Sequence, residues 1–181
     1  MNTFKLHTLQ SAPEGSVATL QTVNKNLGFI PNLYGILAES PPTAESYFQL
    51  VKLLEKSALT PGEQEVIALV VSVENNCSYC VAVHSFLARM YKIDETTITA
   101  LLGSKANSNT KLNALAKFTR ALVRERGKAG EAAIKELFAV GYHNQHALEV
   151  VQIVATTTLS NYTNRLVDTP LDVAFANDLW A

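Results

Sequence analysis

At 181 residues, the chain is long enough for one domain that buries a sizeable core without disulfides or metal. Fifteen basic and sixteen acidic residues leave a net charge of -1 with no basic run, which excludes nucleic acid as a partner. Hydrophobic residues make up 48% against 17% charged, an excess that points to surface covered by other copies in a homo-oligomer.

The first segment, MNTFKLHTLQ, has no unbroken apolar stretch and no small-residue cleavage site, so a cytoplasmic protein is expected. Helical periodicity begins at 16–26. GFIPN (Gly28 to Asn32) and ESPPT (Glu39 to Thr43) read as turns, followed by a helix over 42–57. The next helix, 61–75, has a legible start: Thr60 as N-cap, Pro61 as first helical residue and Glu63 closing a capping box. Beyond it EVIALVVSV is apolar nearly all round, with Glu65 and Ser72 as polar exceptions on one face, and so reads as a buried helix. VIALVV is the longest apolar run, far short of the roughly 18 residues of a membrane span, so no membrane partner is expected. Helices follow over 77–91, 94–102, 110–127, 130–140 and 144–167, with GSKANSNT as a polar loop and VDTPLD ending the last of them. Strand-like alternation is scarce, and no linker or repeat divides the chain. The expectation is an all-α, single-domain helical bundle over residues 1–181.

The chemistry concentrates in ENNCSYCVAVH, Glu74 to His84, which holds both cysteines. Asn76 is expected to cap the helix that Cys77 opens, which places Cys77, Cys80 and His84 on one helical face. A thiol in a first helical turn feels the positive end of the helix dipole, which favours the thiolate of Cys77. Cys80 instead sits one turn before His84, whose imidazole can take its proton. An i, i+3 pair is also within disulfide reach. Three readings compete. A structural zinc site wants four ligands, and this segment supplies three from one helix, leaving His143 or His146 to add a fourth. Two inert buried thiols are the bland reading. A redox pair is favoured by the reducing compartment, where structural disulfides are rare, and by the histidine on the same face. Haem attachment is excluded because Val81 follows the second cysteine. No metal and no bound cofactor are expected.

If the helices flanking Asn75 and Asn76 fold back as a hairpin, Glu65 lies ~15 Å from the turn and His84 ~11 Å, at similar heights. Glu65 is therefore preferred over Glu74 as the acid that orients His84. Phe29, Tyr34 and Phe86 suit either core or pocket wall. His143 and His146 fit a helix start, and His7 the surface. Asn161, Asn164 and Arg165 read as a helix end approaching solvent, with Asn161 the candidate for a place near the pocket or a subunit seam.

Leu59 to Arg89 resembles the core of the carboxymuconolactone decarboxylase-like superfamily, in its alkylhydroperoxidase D-like branch. The resemblance rests on Glu65 twelve residues before Cys77, then CxxC, then His84 four after Cys80. GFIPN, ALAKFTRAL, GYHNQHALEVV and SNYTNRL extend it to the longer, peroxidase-related members, with the core motif region at about 42–127. The resemblance implies an all-helical homo-oligomer, often a trimer or hexamer, and thiol-dependent reduction of organic hydroperoxides in antioxidant defence. Cys80 would attack the peroxide, Cys77 would resolve the sulfenic acid as a disulfide, and His84 with Glu65 would relay the proton. A thioredoxin-like or lipoyl-bearing dithiol would regenerate the pair. The dipole argument, which favours Cys77, conflicts with the attacking role that the resemblance gives Cys80; reach of His84 decides for Cys80. Some relatives carry histidine where Tyr79 stands, so Tyr79 packs or lines the pocket; Tyr79, Glu74 and Asn161 are candidates for the shell around the site. The rivals are a lyase like the decarboxylases that name the superfamily, which characteristically lack the cysteine pair, and a thiol redox sensor or assembly protein without turnover.

Overall fold

A computed structural model of the chain describes residues 4–178. Among them are nine α-helices: α1 (Glu14–Leu27), α2 (Asn32–Leu37), α3 (Pro41–Leu53), α4 (Pro61–Glu74), α5 (Ser78–Met90), α6 (Glu95–Leu102), α7 (Thr110–Arg124), α8 (Glu131–Ala139) and α9 (Asn144–Val167). Short 3-10 turns at Leu54–Lys56 and Val173–Asp178 complete them, and the described residues contain no strand. The fold is all-α, as the helical periodicity implies.

The helix α4 is the axis of the bundle. Its apolar residues from Val66 to Val71 are almost wholly inaccessible, because α5, α6, α7 and α9 pack around it. That is why its sequence lacks a polar stripe: a helix enclosed on most sides has no face to give to water. Its start is pinned as the sequence predicts. Thr60 Oγ1 accepts from the Glu63 backbone N–H at 3.3 Å, while Glu63 Oε2 accepts from the Thr60 N–H at 2.8 Å. Glu63 Oε1 also takes the Tyr142 hydroxyl at 2.6 Å and pairs with Lys111 Nζ at 2.8 Å, so one carboxylate ties α4 to α7 and the start of α9.

The turn between α4 and α5 sets up the site. Asn76 is in the left-handed region at φ 53, and the Cys77 N–H donates to Ser72 O while the Asn76 N–H donates to Val73 O. This is the Schellman closure of a helix, with asparagine in the left-handed position that β-branched residues avoid. Cys77, and not Asn76, then caps α5: its Sγ accepts the Cys80 N–H at 3.3 Å. The expected cap is thus displaced by one residue, because Asn76 is consumed in closing α4.

Two elements escape the periodicity. The helix α2 is only six residues long and buried from Leu33 through Leu37, so it shows no apolar–polar period. The predicted helix over 42–57 divides into α3 and the 3-10 turn after it. His7, expected at the surface, is buried. Its Nε2 meets Glu39 Oε2 at 2.6 Å and its Nδ1 meets Ser11 O at 2.8 Å, while its N–H donates to Gly35 O. A Cβ on Gly35 would lie 2.8 Å from His7 O, so only glycine admits this strand of chain against α2. No helix among the described residues is long and apolar enough to cross a membrane.

Candidate active site

Four segments converge on the cysteine pair. The antiparallel hairpin of α4 and α5 brings Glu65 beside His84, with Glu65 Oε2 accepting from His84 Nδ1 at 2.7 Å. A carboxylate only accepts, so the proton of this bond sits on Nδ1, and Nε2 is the ring nitrogen that Glu65 leaves uncommitted. Both side chains are largely shielded, 15% exposed for Glu65 and 17% for His84. Glu74 is turned elsewhere: Arg120 Nε reaches it at 2.9 Å and Arg124 Nε at 2.6 Å. The height argument that separates Glu65 from Glu74 therefore agrees with the geometry.

Cys77 and Cys80 form a disulfide with Cα atoms 5.3 Å apart, within the ordinary range for such a bridge. Both are buried among Leu33, Leu37, Ala44 and Tyr79, with Tyr47, Val83 and Leu171 packed against them. An apolar enclosure strengthens each polar contact that reaches the sulfurs.

Those contacts come from α9. Asn164 Nδ2 donates to Cys80 Sγ at 3.2 Å. One turn earlier, Asn161 Nδ2 donates to Ser72 Oγ at 3.2 Å and its Oδ1 accepts from Asn75 Nδ2 at 3.0 Å. Ser72 in turn donates to Ala68 O at 2.8 Å, so a polar chain stitches α9 to the end of α4. Neither asparagine approaches solvent: Asn161 is 0% exposed and Asn164 3%. The reading of these positions as a helix end approaching solvent fails for Asn164, while Asn161 lies at the turn that leads to the cysteines. Arg165 does face outward, but its Nη1 donates to Asn75 O, closing the same corner.

Tyr79, between the cysteines, donates its hydroxyl to Asp172 Oδ2 at 2.6 Å and accepts the Leu33 N–H at 3.4 Å. Burial, and then Asp172, push that phenol far above the ordinary tyrosine value, so it remains a donor. Asp172 also accepts the Asn32 N–H at 3.0 Å, which draws the chain after α9 across the start of α2 and over the cysteines. On the α3 side, burial and the nearby charge of Glu65 push the Tyr47 phenol up to about 12, against a lowering hydrogen bond with Ser160. Tyr34 packs on Tyr47 with ring centroids 5.4 Å apart. Phe29 and Phe86 both pack on Phe175, at 6.2 and 5.4 Å. His143 is the N-cap residue of α9, and His146 Nδ1 accepts its N–H at 3.0 Å.

Asn164 and Tyr47 are the site residues that sequence reasoning missed. A signal for Asn164 existed: with Ser160 and Asn161 it forms a polar face at i, i+1 and i+4 near the end of a largely apolar helix, which is the pattern of an inward polar seam as well as of a frayed end. Tyr47 carried none, since an aromatic at helical spacing fits any core.

Comparison with known proteins agrees with this architecture. An alkylhydroperoxidase AhpD core, a peroxidase-related protein from Ralstonia eutropha JMP134, superposes with a TM-score of 0.84 at 24% identity, over 95% of this chain and 93% of that one. A peroxidase-related protein from Silicibacter sp. TM1040 gives 0.81 at 18%, over 96% and 92%. The debrominase Bmp8 gives 0.76 at 20%, over 91% and 90%; a cysteine-to-alanine variant of it is known in complex with 2,3,4-tribromopyrrole. The chain thus has the fold of the alkylhydroperoxidase D-like branch. Residues 41–122 match the carboxymuconolactone decarboxylase family model. The comparison with curated proteins gave no match.

Proposed function

We propose that the protein is a thiol-dependent peroxidase that reduces organic hydroperoxides through Cys77 and Cys80. The observation that carries this reading is a cysteine pair joined as a disulfide on the same helix as His84, whose imidazole is held by Glu65. In the reduced enzyme, His84 takes the Cys80 proton on Nε2. The Cys80 thiolate attacks the terminal peroxide oxygen; an S–O bond forms, the O–O bond breaks, and the alkoxide leaves as alcohol with the proton held by His84. The sulfur is oxidised by two electrons to sulfenic acid. The Cys77 thiol then displaces water from it, forming the disulfide. An external dithiol, of the thioredoxin-like or lipoyl class, reduces the bridge by exchange. No bound cofactor takes part. The apolar walls around the sulfurs suit an alkyl hydroperoxide.

We propose a homo-oligomer, a trimer or hexamer, in the cytoplasm. Support for assembly comes from α9, where Leu148, Val151, Tyr162 and Leu166 lie exposed at helical spacing. Light scattering after size exclusion tests it; a monomer at micromolar concentration would refute it.

The activity test is dithiol-coupled consumption of an alkyl hydroperoxide by the reduced protein against its Cys77→Ser, Cys80→Ser double variant. Equal rates would refute the peroxidase. Because a debrominase shares the fold, a brominated pyrrole is run alongside; bromide release outpacing peroxide loss would replace the reading. Reversible disulfide formation with no turnover on either substrate would favour a redox sensor, and loss of carbon dioxide from a muconolactone-type acid a lyase.

A further inference from the structure

We infer that Asn164 is a catalytic residue of the cysteine pair, which marks Cys80 as the attacking sulfur by donating its amide N–H to Sγ; the peroxide step rests on the proposed function, the selection of the thiolate does not. A disulfide sulfur can only accept, so the amide face toward Cys80 is its NH2 and not its oxygen. A donor aimed at sulfur in an apolar enclosure gains strength when that sulfur becomes an anion, because charge-assisted hydrogen bonds are roughly twice as strong as neutral ones. Cys77 receives the backbone N–H of Cys80 instead, a contact that belongs to the helix cap. Cys80 therefore has both a side-chain donor and a base one turn away, and the sequence-level conflict with the helix dipole is resolved in its favour.

A second observation is independent of the first. Asn164 Oδ1 is buried and has no hydrogen-bond partner. Native interiors rarely leave such an acceptor unsatisfied, and doing so costs as much as losing a hydrogen bond. In the oxidised pair the sulfurs have no hydrogen to offer. Once Cys80 has been oxidised to S–OH, a donor exists beside the same amide plane, and Oδ1 can accept it. The residue thus fits the reduced and sulfenic states better than the disulfide, with N–H on the sulfur and C=O for the hydroxyl. Its backbone is set for this: Asn164 O accepts the Thr169 N–H at 3.1 Å, closing α9 at the left-handed Asp168.

The test separates the two sulfurs. In Cys77→Ser protein, ultraviolet thiolate absorbance and iodoacetamide reactivity against pH report Cys80; in Cys80→Ser protein they report Cys77. Asn164→Ala is expected to move the Cys80 curve upward by about one pH unit, a tenfold loss of thiolate near neutrality, and to leave the Cys77 curve in place. Asn164→Asp, nearly isosteric, keeps the fold if alanine does not and moves the Cys80 curve further. An unchanged Cys80 curve, or equal movement of both, overturns the inference. If the wild-type protein consumes no hydroperoxide, the peroxidase reading falls while these curves still decide Asn164.

Discussion

Replacing Glu63 with glutamine gives a sharply defined acid-stability experiment. Burial alone would raise the Glu63 carboxyl, but hydrogen bonds from Lys111, Tyr142 and Thr60 outweigh it and hold the group at about 2, against an ordinary value of 4.5. A carboxyl depressed in the folded state adds stability that is fully present above its unfolded value and is lost as pH falls toward the folded one. The difference of about 2.5, at about 1.4 kcal/mol each, gives roughly 3 to 4 kcal/mol. The carboxylate is buried but Lys111 is 51% exposed, so solvent screens that contribution and about 2 kcal/mol is the working figure. Glu63→Gln carries no such titration. Urea unfolding followed by helical circular dichroism, from pH 7 to 2.5, should show the wild type ahead of the variant at neutral pH. The gap should shrink by about 2 kcal/mol between roughly pH 5 and 2.5. A gap that does not change with pH would refute the reasoning. The result also bears on the site, because the box that holds Glu63 sets the register that turns Glu65 toward His84.

Three further outcomes follow from the same contacts. Glu65→Gln and His84→Ala should each slow sulfenic acid formation at Cys80 by about 10²-fold or more, and the double variant should be little worse than His84→Ala, since the two act as one unit; this is read by stopped-flow with an alkyl hydroperoxide. Tyr79→Phe leaves Asp172 short of a buried donor, which should cost about 1–3 kcal/mol in denaturant unfolding and speed proteolysis after Val167, with Asp172→Asn behaving alike. Gly35→Ala forces a Cβ against the His7 carbonyl and should cost about 1–3 kcal/mol by the same unfolding measurement, while Gly28→Ala, with open space but a positive φ, costs less than that.

How far the sequence could be read depended on whether a contact was local. The capping box of Thr60 and Glu63, the enclosed character of α4 and the pairing of Glu65 with His84 all arise from spacing within one hairpin, where rise per residue converts directly into height. The helix α2 was hidden because a short, wholly buried segment has no polar face to mark its period. Asn164 escapes the sequence, and Asn161 stays open between two readings there, because a helix end near polar residues looks the same whether it meets water or another helix. His7 was misplaced for a related reason: its partners, Glu39 and Gly35, lie about thirty residues away, beyond any pattern a single segment can show.

Cys77 completes two helices at once, its N–H ending α4 and its sulfur beginning α5. The bridge to Cys80 spans a separation of only three residues, in chain already drawn together by those backbone bonds. In the chain-entropy account such a short loop contributes at most about 2 kcal/mol, so opening the bridge should lower the melting temperature only slightly. If the pair cycles as proposed, reduction and re-oxidation would leave the scaffold nearly unmoved, and the energy of the redox couple would be kept apart from the energy of folding.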